Sequence, residues 1–102
     1  MTSMSEVYLR TVSQGRDILV AVCDAEILGK TLKGGSTPFI VSERFYGGNS
    51  GSIEEALDAM KKATICNIVG KNIVEAAIEA GFVQEAAVIY FGDIPHAQTI
   101  YM

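Results

Sequence analysis

Asp93-Ile94-Pro95-His96-Ala97-Gln98 carries the only histidine of the chain and one of its two prolines. An imidazole exchanges a proton near neutral pH, and a primary amide both donates and accepts hydrogen bonds. His96 and Gln98 are therefore equipped for acid–base or recognition chemistry. Proline fixes φ and disfavours helical geometry in the residue before it. That predicts a turn at Gly92-Asp93-Ile94-Pro95 and a strand from Ala97 to Met102. If the strand reaches back to His96, its side chain and that of Gln98 share one face. A catalytic His96 would need partners, for which Cys66 and Asp24 are the candidates; no local signature of a cysteine or serine hydrolase accompanies them. The competing reading is a turn histidine with a satisfied ring nitrogen.

Two further groups stand out. Ala63 to Gly70 has no charged residue, and Thr64, Asn67 and Lys71 recur there at helical spacing. On a continuous helix they form one polar stripe, a contact surface for a ligand or partner. The alternative is a Thr and an Asn bonding backbone near a helix end. Phe45-Tyr46-Gly47-Gly48-Asn49-Ser50-Gly51 is aromatic, then glycine-rich, and predicts a mobile surface loop. Together the candidate binding surface is Phe45, Tyr46, Gly47, Gly48, Thr64, Asn67, Lys71, His96 and Gln98. Weaker patterns fall away. Gly29-Lys30-Thr31 looks like the end of a phosphate-binding loop, but Asp24 stands where that pattern needs glycine. Ile68-Val69-Gly70-Lys71 outlines a helix-hairpin-helix with a single glycine, and a plain inter-helix turn is favoured. Gly47-Gly48 ahead of a helix could receive an anion, yet Glu54 and Glu55 already occupy that helix's positive end.

The elements that must position these residues follow from pattern. Val7 to Val12 alternates and is rich in β-branched and aromatic residues, Ser13 to Arg16 is a turn, and Asp17 to Cys23 is a nearly continuous apolar run; this is a hairpin with a buried second strand. Asp24 can cap a short turn through Leu28, closed by Gly29. Gly34 to Thr37 is a loop, and Pro38 to Val41 is a short strand. Ser52-Ile53-Glu54-Glu55 matches a capping box. The helix after it keeps Ile53, Ala56, Leu57, Met60, Thr64 and Ile68 near one face as far as Gly70. Lys71 to Ala80 forms a second helix with Gly81 after its end. Ala86 to Phe91 is a strand. This order predicts one α+β domain over 7–102 after a flexible N-terminus at 1–6, with two consecutive helices on one face of a mostly antiparallel sheet of four to five strands.

A chain of 102 residues, 49% hydrophobic and 20% charged, suits a compact domain with a modest core. Its net charge of -4 argues against autonomous binding to bare DNA or RNA. No apolar run reaches the ~20 residues of a membrane span, and Met1 to Glu6 lacks the order of a signal peptide. A cytoplasmic protein is expected, with Cys23 and Cys66 as buried free thiols. A metal site would need Cys23, Cys66 and His96 to converge without any supporting spacing, so neither metal nor cofactor is expected.

The chain resembles a small archaeal family known only as a domain of unknown function. The resemblance rests on Leu19-Val20-Ala21-Val22-Cys23-Asp24 with Leu28-Gly29-Lys30-Thr31, on Phe45-Tyr46-Gly47-Gly48, on Ala63 to Gly70, and on Pro95-His96-Ala97-Gln98. It implies a stand-alone archaeal protein of about this length, no established activity or cofactor, and an association with RNA or the translation apparatus. The reading is a non-catalytic binding module docking onto a protein or ribonucleoprotein partner. The alternatives are a small-molecule enzyme using His96 with Cys66 or Asp24, and a structural homo-oligomer.

Overall fold

The computed structural model describes residues 6–34 and 37–100. The N-terminal stretch 1–5, Gly35, Ser36 and the last two positions of the expected C-terminal strand lie outside the described residues. Six strands form one sheet: β1 (Val7–Gln14), β2 (Asp17–Asp24), β5 (Asn49–Gly51), β6 (Ile65–Val69), β7 (Ile89–Phe91) and β8 (Ile94–Ile100). Their order is β5-β1-β2-β6-β8-β7. All neighbours are antiparallel except β2 and β6, which run parallel. β3 (Thr31–Leu32) and β4 (Phe39–Ile40) make a separate two-stranded ribbon. Helices α1 (Glu43–Tyr46), α2 (Ile53–Lys61) and α3 (Lys71–Glu79) complete the fold with two short 3-10 turns.

The sheet therefore has six strands rather than four to five; it is mostly antiparallel as expected, with the single parallel pair β2–β6 making it mixed, and α1 adds a third helix to the two expected. The difference comes from Thr64 to Val69. Its apolar residues happen to continue the helical spacing of Ile53, Ala56, Leu57 and Met60, but α2 stops at Lys61. Ile65–Val69 is instead a central strand covered on both faces, where no alternation is required. This removes the continuous helix, the polar stripe of Thr64, Asn67 and Lys71, and the helix-hairpin-helix outline.

Strand alternation divides the sheet into two faces. Val7, Val20, Val22, Cys66, Ile68 and Ala97 point to the helix face and pack against Ala56, Met60, Ile73, Val74 and Ala77 of α2 and α3. Ala21, Cys23 and Val69 point to the other face, where Ile27, Leu32, Val41 and Tyr46 cover them. We call this the ribbon face.

Local signals explain most ends. Ser52 and Glu55 form the expected capping box on α2, and Gly81 follows α3 with φ +85°. Asp24 does not cap the 3-10 turn Ala25–Ile27; its carboxylate lies on α3 instead. The stretch expected to be a mobile loop forms α1 and edge strand β5, since Ser42 caps α1 and Asn49–Gly51 pairs with Val7–Leu9. The β7–β8 turn needs only Gly92-Asp93, so Pro95 lies inside β8. It is tolerated there because the Pro95 carbonyl accepts from Gly70 N–H at 2.9 Å, while the Gly70 carbonyl is taken by Val74 N–H at 3.0 Å. A donor at Pro95 would find that carbonyl already engaged.

Candidate functional site

Three of the nominated side chains meet on the ribbon face. In β6 the odd positions Ile65, Asn67 and Val69 face this side, and in β8 His96, Gln98 and Ile100 do. Register sets Asn67 opposite Gln98 and Val69 opposite His96. His96 and Asn67 are thus diagonal neighbours, with His96 Nε2 3.0 Å from Asn67 Oδ1. Tyr46, the last residue of α1, donates its phenolic hydrogen to the same oxygen. An amide oxygen has two lone pairs and accepts both. With Oδ1 as acceptor, His96 must donate from Nε2, which fixes the neutral ring as the Nε2–H tautomer. Ala21, opposite Asn67 on the neighbouring strand, shares a buried cluster with Tyr46.

The imidazole is held further by aromatic packing. Phe39 of β4 stacks on Phe91 of β7 at 4.9 Å between centroids and lies 5.2 Å from the His96 ring. Phe91 meets His96 edge-on at 6.1 Å. Burial pushes the His96 pKa below its ordinary 6.5 and the Tyr46 phenol upward. A neutral imidazole fixed by an amide is a positioned hydrogen-bonding group, and among the described residues no acidic partner raises its basicity.

Neither proposed catalytic companion is available to it. Cys66 and Asp24 point to the helix face, on the far side of the sheet. Burial raises the Cys66 thiol pKa and pushes Cys23, on the ribbon face, up to about 12. Both thiols stay protonated at neutral pH and are poor nucleophiles. Asp24 spends its two oxygens on Asn72 N–H at 2.8 Å and Ile73 N–H at 2.9 Å. Burial raises its pKa against the pull of those two bonds.

The remaining nominated residues scatter. Thr64 Oγ1 accepts from Ile18 N–H at 2.8 Å and ties β2 to the start of β6. Lys71 opens α3 and pairs with Asp93 at 3.1 Å across an exposed surface. Phe45 packs edge-on against Tyr46 at 4.8 Å. Gly47 and Gly48 are there for close approach, since a Cβ at Gly48 would lie 2.4 Å from the Leu9 carbonyl oxygen. Gln98 stands exposed opposite Asn67.

Sequence reading did not find the surface beside this network. Arg10–Ala21–Asn67–Gln98 and Val12–Leu19–Ile65–Ile100 form two consecutive cross-strand rows on the ribbon face. Val12, Leu19 and Ile65 are only half-buried and Ile100 is 64% exposed. Alternation in Val7 to Val12 was the available signal for Arg10 and Val12. Leu19 and Ile65 lie in apolar runs that hide which face they take.

His96 makes a stability prediction. The folded protein binds its proton less readily than the unfolded chain, so this contribution is complete above about pH 6.5 and is lost as the pH falls below it. Urea unfolding from neutral pH downward should show a steeper loss for the native chain than for His96→Gln, which cannot titrate. Parallel pH profiles would refute the assignment.

A family model described as "Protein of unknown function (DUF424)" matches residues 11–102. No curated protein matches the chain. Among solved structures, the crystal structure of an uncharacterized conserved protein from Methanopyrus kandleri is similar, with a TM-score of 0.79 and 25% identity over 94% of this chain and 93% of that one.

Proposed function

The chain belongs to the DUF424 family of proteins of unknown function, and from that premise we propose a non-catalytic binding module that docks a partner protein on the open part of its ribbon face. The observation that carries this is the aliphatic row Val12–Leu19–Ile65–Ile100, lying across four adjacent strands beside the polar row of Arg10, Asn67 and Gln98. Contiguous apolar surface rimmed by hydrogen-bonding groups suits a protein interface. Tyr46 and His96 lock Asn67 at its boundary, so that amide is pre-ordered before any partner arrives.

Physical chemistry favours protein over nucleic acid as the contacted material. The net charge is -4, and the α3 N-terminus, whose amides could receive a phosphate, already holds the Asp24 carboxylate. An association with RNA or the translation apparatus would then run through a protein component of a ribonucleoprotein.

Photo-crosslinking tests the face directly. A benzophenone side chain at Leu19 should yield protein adducts in archaeal extract that survive nuclease, and the same group at exposed Glu54 on α2 should not. Nuclease-sensitive adducts at Leu19 would transfer the reading to RNA. Equal labelling at Leu19 and Glu54 would end it.

A further inference from the structure

We propose that the partner attaches by adding a strand to the open edge of β8, and that this strand carries apolar residues on its ribbon-face side and lysine or arginine on its helix-face side. The inference rests on the ribbon face being the docking surface and names how a partner is held there.

The open edge follows from register. β7 covers β8 only from Ile94 to His96. Gly92-Asp93 is a two-residue turn, so Phe91 with Ile94 and Ile89 with His96 are the hydrogen-bonded pairs, and outward-pointing backbone groups recur at every second residue of β8. The next are Gln98 and Ile100. The chain before Ile89 has already turned away, with Ala87 N–H bonded to the Gln84 carbonyl and Val88 N–H to that of Glu85. Among the described residues no strand lies on the β7 side of β8 beyond His96. Two N–H and two C=O groups are thereby presented in strand geometry.

Among the described residues no charge or bulge blunts this edge from Ile94 to Ile100, and the one proline of β8 precedes the open segment. Three of the five exposed large apolar side chains among the described residues stand here: Ile89 at 60%, Tyr90 at 57% and Ile100 at 64% exposure. In an added strand running antiparallel to β8, the residues bonded to Gln98 and Ile100 would project onto the ribbon face and extend the row that ends at Ile100, which calls for apolar side chains.

Charge decides between a second copy and a different partner. On the helix-face side of the sheet, at the stretch of β8 that β7 still covers and just before the open segment, lies a groove of about 510 Å³ lined by Val74, Ile78, Tyr90 and Pro95 together with Glu75, Glu79, Glu85 and Asp93. Its single cation, Lys71, is paired with Asp93. A second copy would bring the same acidic lining to the junction. A strand with lysine or arginine on that side has the complementary charge.

The test uses the full chain and an alternating lysine–isoleucine heptapeptide, read by amide hydrogen exchange. At 90% saturation the Gln98 and Ile100 amides should exchange about tenfold more slowly, because only the free fraction exchanges. Backbone N-methylation of the peptide's isoleucines should abolish that protection, whereas N-methylation of its lysines should leave it. The same sequence with glutamate for lysine should protect less. Protection indifferent to which residues are methylated would overturn strand addition, as would Gln98 and Ile100 amides already protected in the free protein. Failure here with Leu19 crosslinks intact would leave the face standing and remove only the edge; loss of the Leu19 crosslinks with protection intact would do the reverse.

Discussion

Gly70→Ala is expected to lower the melting temperature by about 20 °C. Gly70 joins β6 to α3 with φ +125° and ψ +148°, backbone that side-chain-bearing residues avoid at about 1–3 kcal/mol. A Cβ there would also fall 2.4 Å from Asp24 Cγ and 2.6 Å from Asp24 Oδ2. The glycine cannot retreat, since its N–H is held by Pro95 and its carbonyl by Val74. The carboxylate must move instead and abandon the Asn72 and Ile73 amides, at about 1–3 kcal/mol for each buried group left unpaired. Together these span about 3–9 kcal/mol; even about 4 kcal/mol is a large part of the 5–15 kcal/mol typical of a domain, and each kcal/mol moves the melting point of a chain this size by about 4–8 °C. Gly81→Ala is the control. Its φ is +85°, but nothing lies within 4 Å of the added Cβ, so it should cost only the backbone strain of about 1–2 kcal/mol. Calorimetry giving equal losses for the two variants would show that the collision with Asp24 does not matter.

The contrast between these glycines marks what could be read from residues alone. Local devices were legible: the β1–β2 hairpin from alternation and its turn, the Ser52–Glu55 box from spacing, and the end of α3 from Gly81. Each depends on groups a few residues apart. β6 was missed because a strand buried on both faces has no period of its own, and Thr64 and Ile68 fell by chance on the helical stripe of α2. That one error placed Asn67 on a helix, whereas it lies near the centre of the sheet. The Tyr46–Asn67–His96 network depends on β6 and β8 register and on where α1 lies, with 21 and 29 residues separating its bonded pairs. Nothing near Asn67 in the chain announces either partner. His96 and Gln98 were correctly given a common face because proline, the turn and two-residue alternation are all local. Thr64 and Lys71 were grouped with them by a helical spacing that the fold does not contain.

Asp24→Ala is expected to destabilise the protein by about 3 kcal/mol, and Asp24→Asn by about half of that. Asp24 ends β2 and is 2% exposed, yet no cation pairs with it among the described residues. Its compensation is the amino end of α3, a helix separated from it by 48 and 49 residues in the bonds it makes. Gly70 is the formal cap residue and has no side chain to offer, so a carboxylate from the neighbouring parallel strand takes over the task of satisfying the first-turn amides. Alanine leaves both amides without acceptors and opens a small void. Asparagine keeps one acceptor but turns an NH₂ toward the other amide. The same geometry makes Asp24→Ala and Gly70→Ala interdependent. Once the carboxyl group is gone, a Cβ at Gly70 loses its closest collision, though the Asp24 Cβ remains 2.7 Å away and the positive φ is unchanged. Denaturant unfolding of Asp24→Ala, Gly70→Ala and the double variant should therefore give a combined loss at least about 1 kcal/mol smaller than the sum. Strict additivity would mean that the carboxylate and the glycine act separately, and that the junction of β2, β6 and α3 is not the single unit the hydrogen bonds describe.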